Sequence, residues 1–92
     1  MASRVAVISI ILKNSESVEE LNSILHLYSK YIIGRMGIPY RERNINIISL
    51  AIDAPQDVIS ALSGKLGRMK GVSAKTAFSS VITQIDEEEK IS

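Results

Sequence analysis

Two short Val- and Ile-rich runs are apolar on both of their alternating faces, and this restricts what the chain can fold into. In Arg4–Leu12, Val5, Val7 and Ile11 fall on one face, while Ile8, Ile10 and Leu12 fall on the other. The run from Ile45 repeats the pattern, with Ile45 and Ile47 opposite Ile48, Leu50 and Ile52. Branched side chains restricted at χ1 suit a pleated strand. Successive strand residues point to opposite sides, so each run needs cover on both faces. A chain of 92 residues makes one domain. It has too few elements to cover both faces of its own sheet. The pattern therefore predicts a homo-oligomer, formed by stacking sheets or by joining strands at an edge.

The segments between these runs set the element order. Lys13–Ser17 is a polar break, and Ser17 with Glu20 has capping-box spacing. Val18, Leu21, Leu25 and Tyr28 recur at helical intervals, predicting an amphipathic helix to about Lys30. Tyr31–Ile38 reads as a second strand, in which Gly34 and Gly37 mark a bulge or a close backbone approach. Pro39 belongs near a strand end or on an edge, because it cannot donate to a ladder. Arg41–Asn44 is a turn, so the second strand and the strand at Ile45–Ile52 form an antiparallel hairpin.

Asp53-Ala54-Pro55 starts a second helix, with Asp53 as N-cap and Val58, Leu62, Leu66 and Met69 as its buried stripe. Gly64 and Gly67 on that helix suggest close packing or a frayed last turn, and Gly71 stops it. Val72–Phe78 is the fourth strand. Val81–Ile85 would add a short fifth strand or a swapped arm, followed by an acidic frayed tail. The expected fold is α+β, a ferredoxin-like βαββαβ arrangement. Its four-stranded antiparallel sheet carries both helices on one face and right-handed crossovers. Residues 1–80 form the domain, and 81–92 a C-terminal extension.

Composition removes several function classes. With no cysteine, the chain has no disulfide, thiolate nucleophile or cysteine-held iron–sulfur cluster, and a cytoplasmic setting fits. With His26 as its only histidine, no metal site of several imidazoles forms within one chain. There is no Gly-x-Ser-x-Gly elbow, and Gly64-Lys65-Leu66-Gly67 lacks the spacing of a phosphate loop. The expectation is therefore no catalytic residue, no metal and no cofactor. A net charge of +1 gives no global pull toward nucleic acid or an anionic membrane. The run ending at Leu12 is too short to span a bilayer, and Lys13-Asn14-Ser15-Glu16 replaces the small residues of a leader cleavage site.

One cationic set remains. Arg35, Arg41 and Arg43 cluster around the hairpin, with Lys65, Arg68 and Lys70 on the second helix. Arginine forks bind carboxylate and phosphate bidentately, so a small anion or an acidic partner is the ligand class expected there. The plainer reading is a solvated surface in which Glu42 is the internal partner.

The segments Gly34-Arg35-Met36-Gly37-Ile38-Pro39-Tyr40-Arg41-Glu42-Arg43-Asn44-Ile45-Asn46-Ile47 and Ala61-Leu62-Ser63-Gly64-Lys65-Leu66-Gly67-Arg68-Met69-Lys70-Gly71-Val72 closely resemble the iron-only hydrogenase system regulators. These are stand-alone ACT-like domains, similar to the C-terminal domain of nickel-responsive repressors. The resemblance implies a dimer or tetramer, and action at or near iron-only hydrogenase or its maturation. It also departs from better-known relatives. Amino-acid-binding ACT domains place glycine in the loop after the first strand, where this chain has Lys13-Asn14-Ser15-Glu16-Ser17. The nickel repressors need several histidines, a cysteine and a DNA-binding arm, none of which this chain has. An acylphosphatase-like activity would need an arginine in that same first loop.

The sequence thus predicts a non-catalytic, ligand-sensing regulatory module. Its expected site at a subunit interface comprises Gly34, Arg35, Gly37, Arg41 and Arg43. The alternative is an adaptor that docks a partner protein in hydrogenase regulation or maturation without a small ligand.

Overall fold

A computed structural model describes residues 2–13 and 17–83. Strand β1 (Ser3–Leu12) leads to helix α1 (Val18–Leu27), and a 3-10 turn at Ser29–Tyr31 precedes β2 (Ile32–Tyr40). A second 3-10 turn at Arg41–Arg43 joins β2 to β3 (Ile45–Ala54), followed by α2 (Gln56–Gly67) and β4 (Val72–Thr83). The sheet order is β2-β3-β1-β4, and every neighbouring pair is antiparallel. This is the βαββαβ ferredoxin-like fold that the element order predicts, with β2 and β4 as its edges.

The two faces of the central strands part as their alternation requires. Ala6, Ile8, Ile10 and Leu12 of β1 pair across from Ala54, Ile52, Leu50 and Ile48 of β3, or sit one step from them, and all are buried. Leu21 and Leu25 of α1 and Ile59, Leu62 and Leu66 of α2 close over that face. The largest fully buried side chains are all Ile or Leu. The core is therefore aliphatic, as a chain with one Phe and no Trp must make it. Burying each such side chain contributes about 2 kcal/mol.

Local details differ from the sequence expectation at several points. Ser17 precedes α1 but makes no side-chain cap bond. Its buried hydroxyl instead donates to the Lys70 carbonyl oxygen, 3.0 Å away. Beside it, the Lys13 N–H donates to the Gly71 carbonyl oxygen at 2.8 Å. The start of α1 is thus pinned to the turn after α2, a long-range partner that a local capping pattern does not reveal. Asp53 is not the N-cap of α2: it is a β3 residue paired with Val5, and Pro55 precedes the helix. Gly64 and Gly67 are not close-packed. A Cβ at Gly64 would meet only the Arg68 side chain at 3.8 Å, and one at Gly67 would meet nothing. Gly71 does not stop α2, which ends at Gly67 with Arg68 as its C-cap; at φ 75° it turns the chain into β4 instead.

Strand β2 carries a register shift between Ile32 and Gly34, so Gly34 follows a bulge, while Gly37 pairs regularly with Ile48. Asn44 ends the hairpin turn in the left-handed region at φ 55°, a conformation asparagine tolerates. Strand β4 runs on to Thr83 past a shift opposite Arg4 and Ala6, so residues 81–83 continue it. The rest of the Val81–Ile85 segment and the acidic tail lie outside the described residues. At this end of the sheet Arg4 joins three elements. Its Nε donates to the Ser79 carbonyl oxygen at 3.0 Å, its Nη1 donates to Gln56 Oε1 at 2.7 Å, and its guanidinium stands 5.0 Å from the Phe78 ring centre.

Candidate functional site

A cleft of about 250 Å³ opens between α1 and the edge strand β2 on the helix side of the sheet. Its floor is apolar, formed by Leu12, Val18, Leu21 and Ile48. Its polar groups are Arg35, Asn22 and Asn46. Strand alternation makes this wall: Arg35 pairs with Leu50 and Gly37 with Ile48, so both share the face that packs under the helices. Gly37 leaves the wall low, because its missing Cβ would sit 4.0 Å from Ile48.

Arg35 is exposed at the rim. Its Nη2 donates to Asn22 Oδ1 at 3.1 Å, which ties β2 to α1 across the cleft. Its other guanidinium N–H groups have no hydrogen-bond partner among the described residues. A second hollow on the same side is lined by Asn22, Leu25, His26, Ser29, Ile32 and Arg35. Arg35 thus borders both hollows. His26 is exposed there, and no group of acids and histidines among the described residues could hold a metal.

The predicted site residues do not form one group. Arg35 and Gly37 meet in the cleft. Gly34 pairs with Ala51 and lies with Met36 and Ser49 on the opposite, uncovered face. Arg41 and Arg43 sit in the turn beyond the end of β2. Tyr40 lies five positions along the strand from Arg35, about 17 Å at strand rise, so one small anion does not span Arg35 and the turn arginines. Arg41, Glu42 and Arg43 make no side-chain hydrogen bond or ion pair among the described residues. Lys65 of α2 is directed elsewhere, its Nζ 5.8 Å from the Tyr28 ring centre. Asn22 and Asn46 were not picked out by the sequence. They come from α1 and β3, and only the tertiary fold sets them beside Arg35.

The family model for TM1266-like proteins, described as "Iron-only hydrogenase system regulator, putative", matches residues 4–76. The chain belongs to this family. The uncharacterized protein TM1266 from Thermotoga maritima is 39% identical, with a TM-score of 0.81 over 83% of this chain and 96% of that one. A formyltetrahydrofolate deformylase from Pseudomonas putida KT2440 has a TM-score of 0.58 at 9% identity, covering 79% of this chain and 28% of that chain. At that identity the likeness shows the fold alone. No curated protein matches. The family description supports a regulatory role. No described helix is long and apolar enough to cross a membrane.

Proposed function

We propose that this TM1266-like protein is a non-catalytic regulatory module of an iron-only hydrogenase system that responds to a small anion held at Arg35. The observation that carries this reading is a guanidinium with free N–H groups at the rim of an apolar cleft flanked by two asparagines. Such a fork binds a carboxylate or phosphate bidentately. The cleft, about 250 Å³ in volume, is smaller than the ~300–1,000 Å³ typical of drug-sized ligand sites, so it suits a compact ligand. Among the described residues the constellation has no paired acid and base and no nucleophile with a base beside it, which supports binding over catalysis as the reading. Melting the protein against a panel of small carboxylates, inorganic phosphate and nucleotides tests this. At least one class should raise the melting temperature in wild type and not in Arg35→Ala. A panel with no effect on wild type, or shifts that survive Arg35→Ala, would reject the reading.

A second reading rests on a different feature. Strand β2 is a nine-residue edge strand exposed along nearly its whole length. Such an edge can add a strand from a partner protein, in which case the module is an adaptor. Pro39 removes one donor near its end, leaving Ile32–Ile38 as the usable stretch. Retention of a hydrogenase or maturation protein by the immobilised chain, without added metabolites, would favour this reading.

A further inference from the structure

We infer that the anion held at Arg35 is a monocarboxylate with a short aliphatic tail, its carboxylate on the guanidinium and its tail along the apolar floor of the cleft between α1 and β2. This deepens the proposed function and rests on it. Along β2, Arg35, Gly37 and Pro39 share the helix-facing side, opposite Leu50, Ile48 and Asn46 of β3. The cleft is thus a track along the sheet edge. Arg35 stands at one end and Asn46, opposite Pro39, at the other, about 13 Å away at strand rise. Between them lie Leu12, Val18, Leu21 and Ile48. Leu12, Leu21 and Ile48 belong to the closed core, so the floor is fixed before a ligand arrives, and Gly37 adds no side chain to fill the space beside Ile48.

Charge and donors select the head group. Arg35 is the one charged side chain lining the cleft among the described residues, so the site matches a single negative charge. Asn22 Oδ1 already accepts from Arg35 Nη2 at 3.1 Å. That leaves the Asn22 amide N–H groups and the other guanidinium N–H groups as donors with no partner among the described residues. The two oxygens of a carboxylate satisfy such a fork. A phosphate dianion would bring a second charge with no further cation in the lining to meet it. A nucleotide's base would find no aromatic ring there to stack on. An α-amino acid would bring an ammonium group, and no carboxylate among the described lining residues pairs with it.

Volume sets the length of the tail. A cleft of about 250 Å³ holds roughly eight groups of water size at ~30 Å³ each, which is a carboxylate and about five further carbons. Each methylene laid on the floor leaves water, and burying one fully tightens binding by a factor of about four. The tail therefore supplies the discrimination between carboxylates, while Arg35 fixes their orientation. Carbons beyond that number pass the end of the floor into water, where they gain nothing.

Titration of the full chain with acetate, butanoate, hexanoate, octanoate, norleucine and inorganic phosphate, followed by backbone amide chemical shifts, tests this. Affinity should rise about twofold to fourfold per methylene from acetate to hexanoate, and change by less than about twofold from hexanoate to octanoate. Norleucine and phosphate should each bind at least about tenfold more weakly than hexanoate. The shifts should centre on Asn22 and Gly37 and vanish in Arg35→Ala. Gly37→Val, which sets methyl groups beside Ile48, should lower hexanoate affinity more than acetate affinity. Hexanoate binding no tighter than acetate, or phosphate or norleucine binding as tightly as hexanoate, would overturn the monocarboxylate and leave the anion site at Arg35 standing. Absence of any binding that depends on Arg35 would remove both.

Discussion

The guanidinium of Arg35 donates to the amide oxygen of Asn22 across 3.1 Å, and this contact joins the edge strand to α1 at the mouth of the cleft that Arg35 and Gly37 share. Asn22 is therefore a means of testing the site without removing Arg35. In Asn22→Asp a carboxylate stands where the amide oxygen was, and it competes with any external anion for the same fork. The expected outcome is a loss of at least about tenfold in anion affinity, with stability changed by less than about 1 kcal/mol because the pair is exposed. Titration calorimetry with the anion that stabilises wild type, beside urea unfolding of both proteins, checks both halves.

Ser17 separates two accounts of how α1 begins. Its hydroxyl reaches the Lys70 carbonyl oxygen across 53 positions of sequence and makes no cap bond within the helix. Ser17→Ala should cost about 1–2 kcal/mol, since it strips a partner from a half-enclosed carbonyl and loosens the α1 start from the turn after α2. Glu20→Ala should change stability by less than about 0.5 kcal/mol, because Glu20 is exposed and no capping box exists for it to complete. Urea midpoints of the two variants give the comparison, and equal losses would restore the capping box.

What could be read from the sequence follows from the range of the interactions. The parity of β1 and β3, the hairpin and the order of elements each depend on alternation or backbone chemistry within a few residues. Each appears where the sequence places it. Two of the misread features depend on distant chain. Asp53 reads as a helix cap locally, but pairing with Val5 extends β3 through it. Ser17 is drawn to Lys70 by the way two loops meet. The cationic set looked like one site because its members are close in sequence. A strand between them separates Arg35 from Arg41 and Arg43, and alternation puts Gly34 on the other face from Arg35. Asn22 and Asn46 carry no local signal at all.

Gly64 lies inside α2 with ordinary space around it: a Cβ would make a 3.8 Å contact with the Arg68 side chain. Glycine in a helix interior is less favourable than alanine by about 0.5–1 kcal/mol, mostly through the freedom of the unfolded chain. Gly64→Ala should therefore stabilise the protein by about that amount, read as a higher urea midpoint at unchanged slope. Gly71→Ala should act in the opposite direction, because its φ of 75° strains any residue with a Cβ.

Ile10 and Ile11 are identical and adjacent, and the strand sends them to opposite faces. Ile10 is fully enclosed, while Ile11 is 44% exposed on the uncovered side of the sheet. Ile10→Ala removes atoms from a closed aliphatic core, and should cost about 2–5 kcal/mol whatever the protein concentration. Ile11→Ala opens no cavity within one chain, so its intrinsic cost should be below about 1 kcal/mol. If a second copy covers that face, the loss at Ile11 also appears as weakened association, and its apparent melting temperature falls further below wild type as the protein is diluted. Thermal unfolding of both variants over a hundredfold range of concentration distinguishes the two positions. A dilution-independent Ile11→Ala would mean that the outer face of β1 contributes nothing to association.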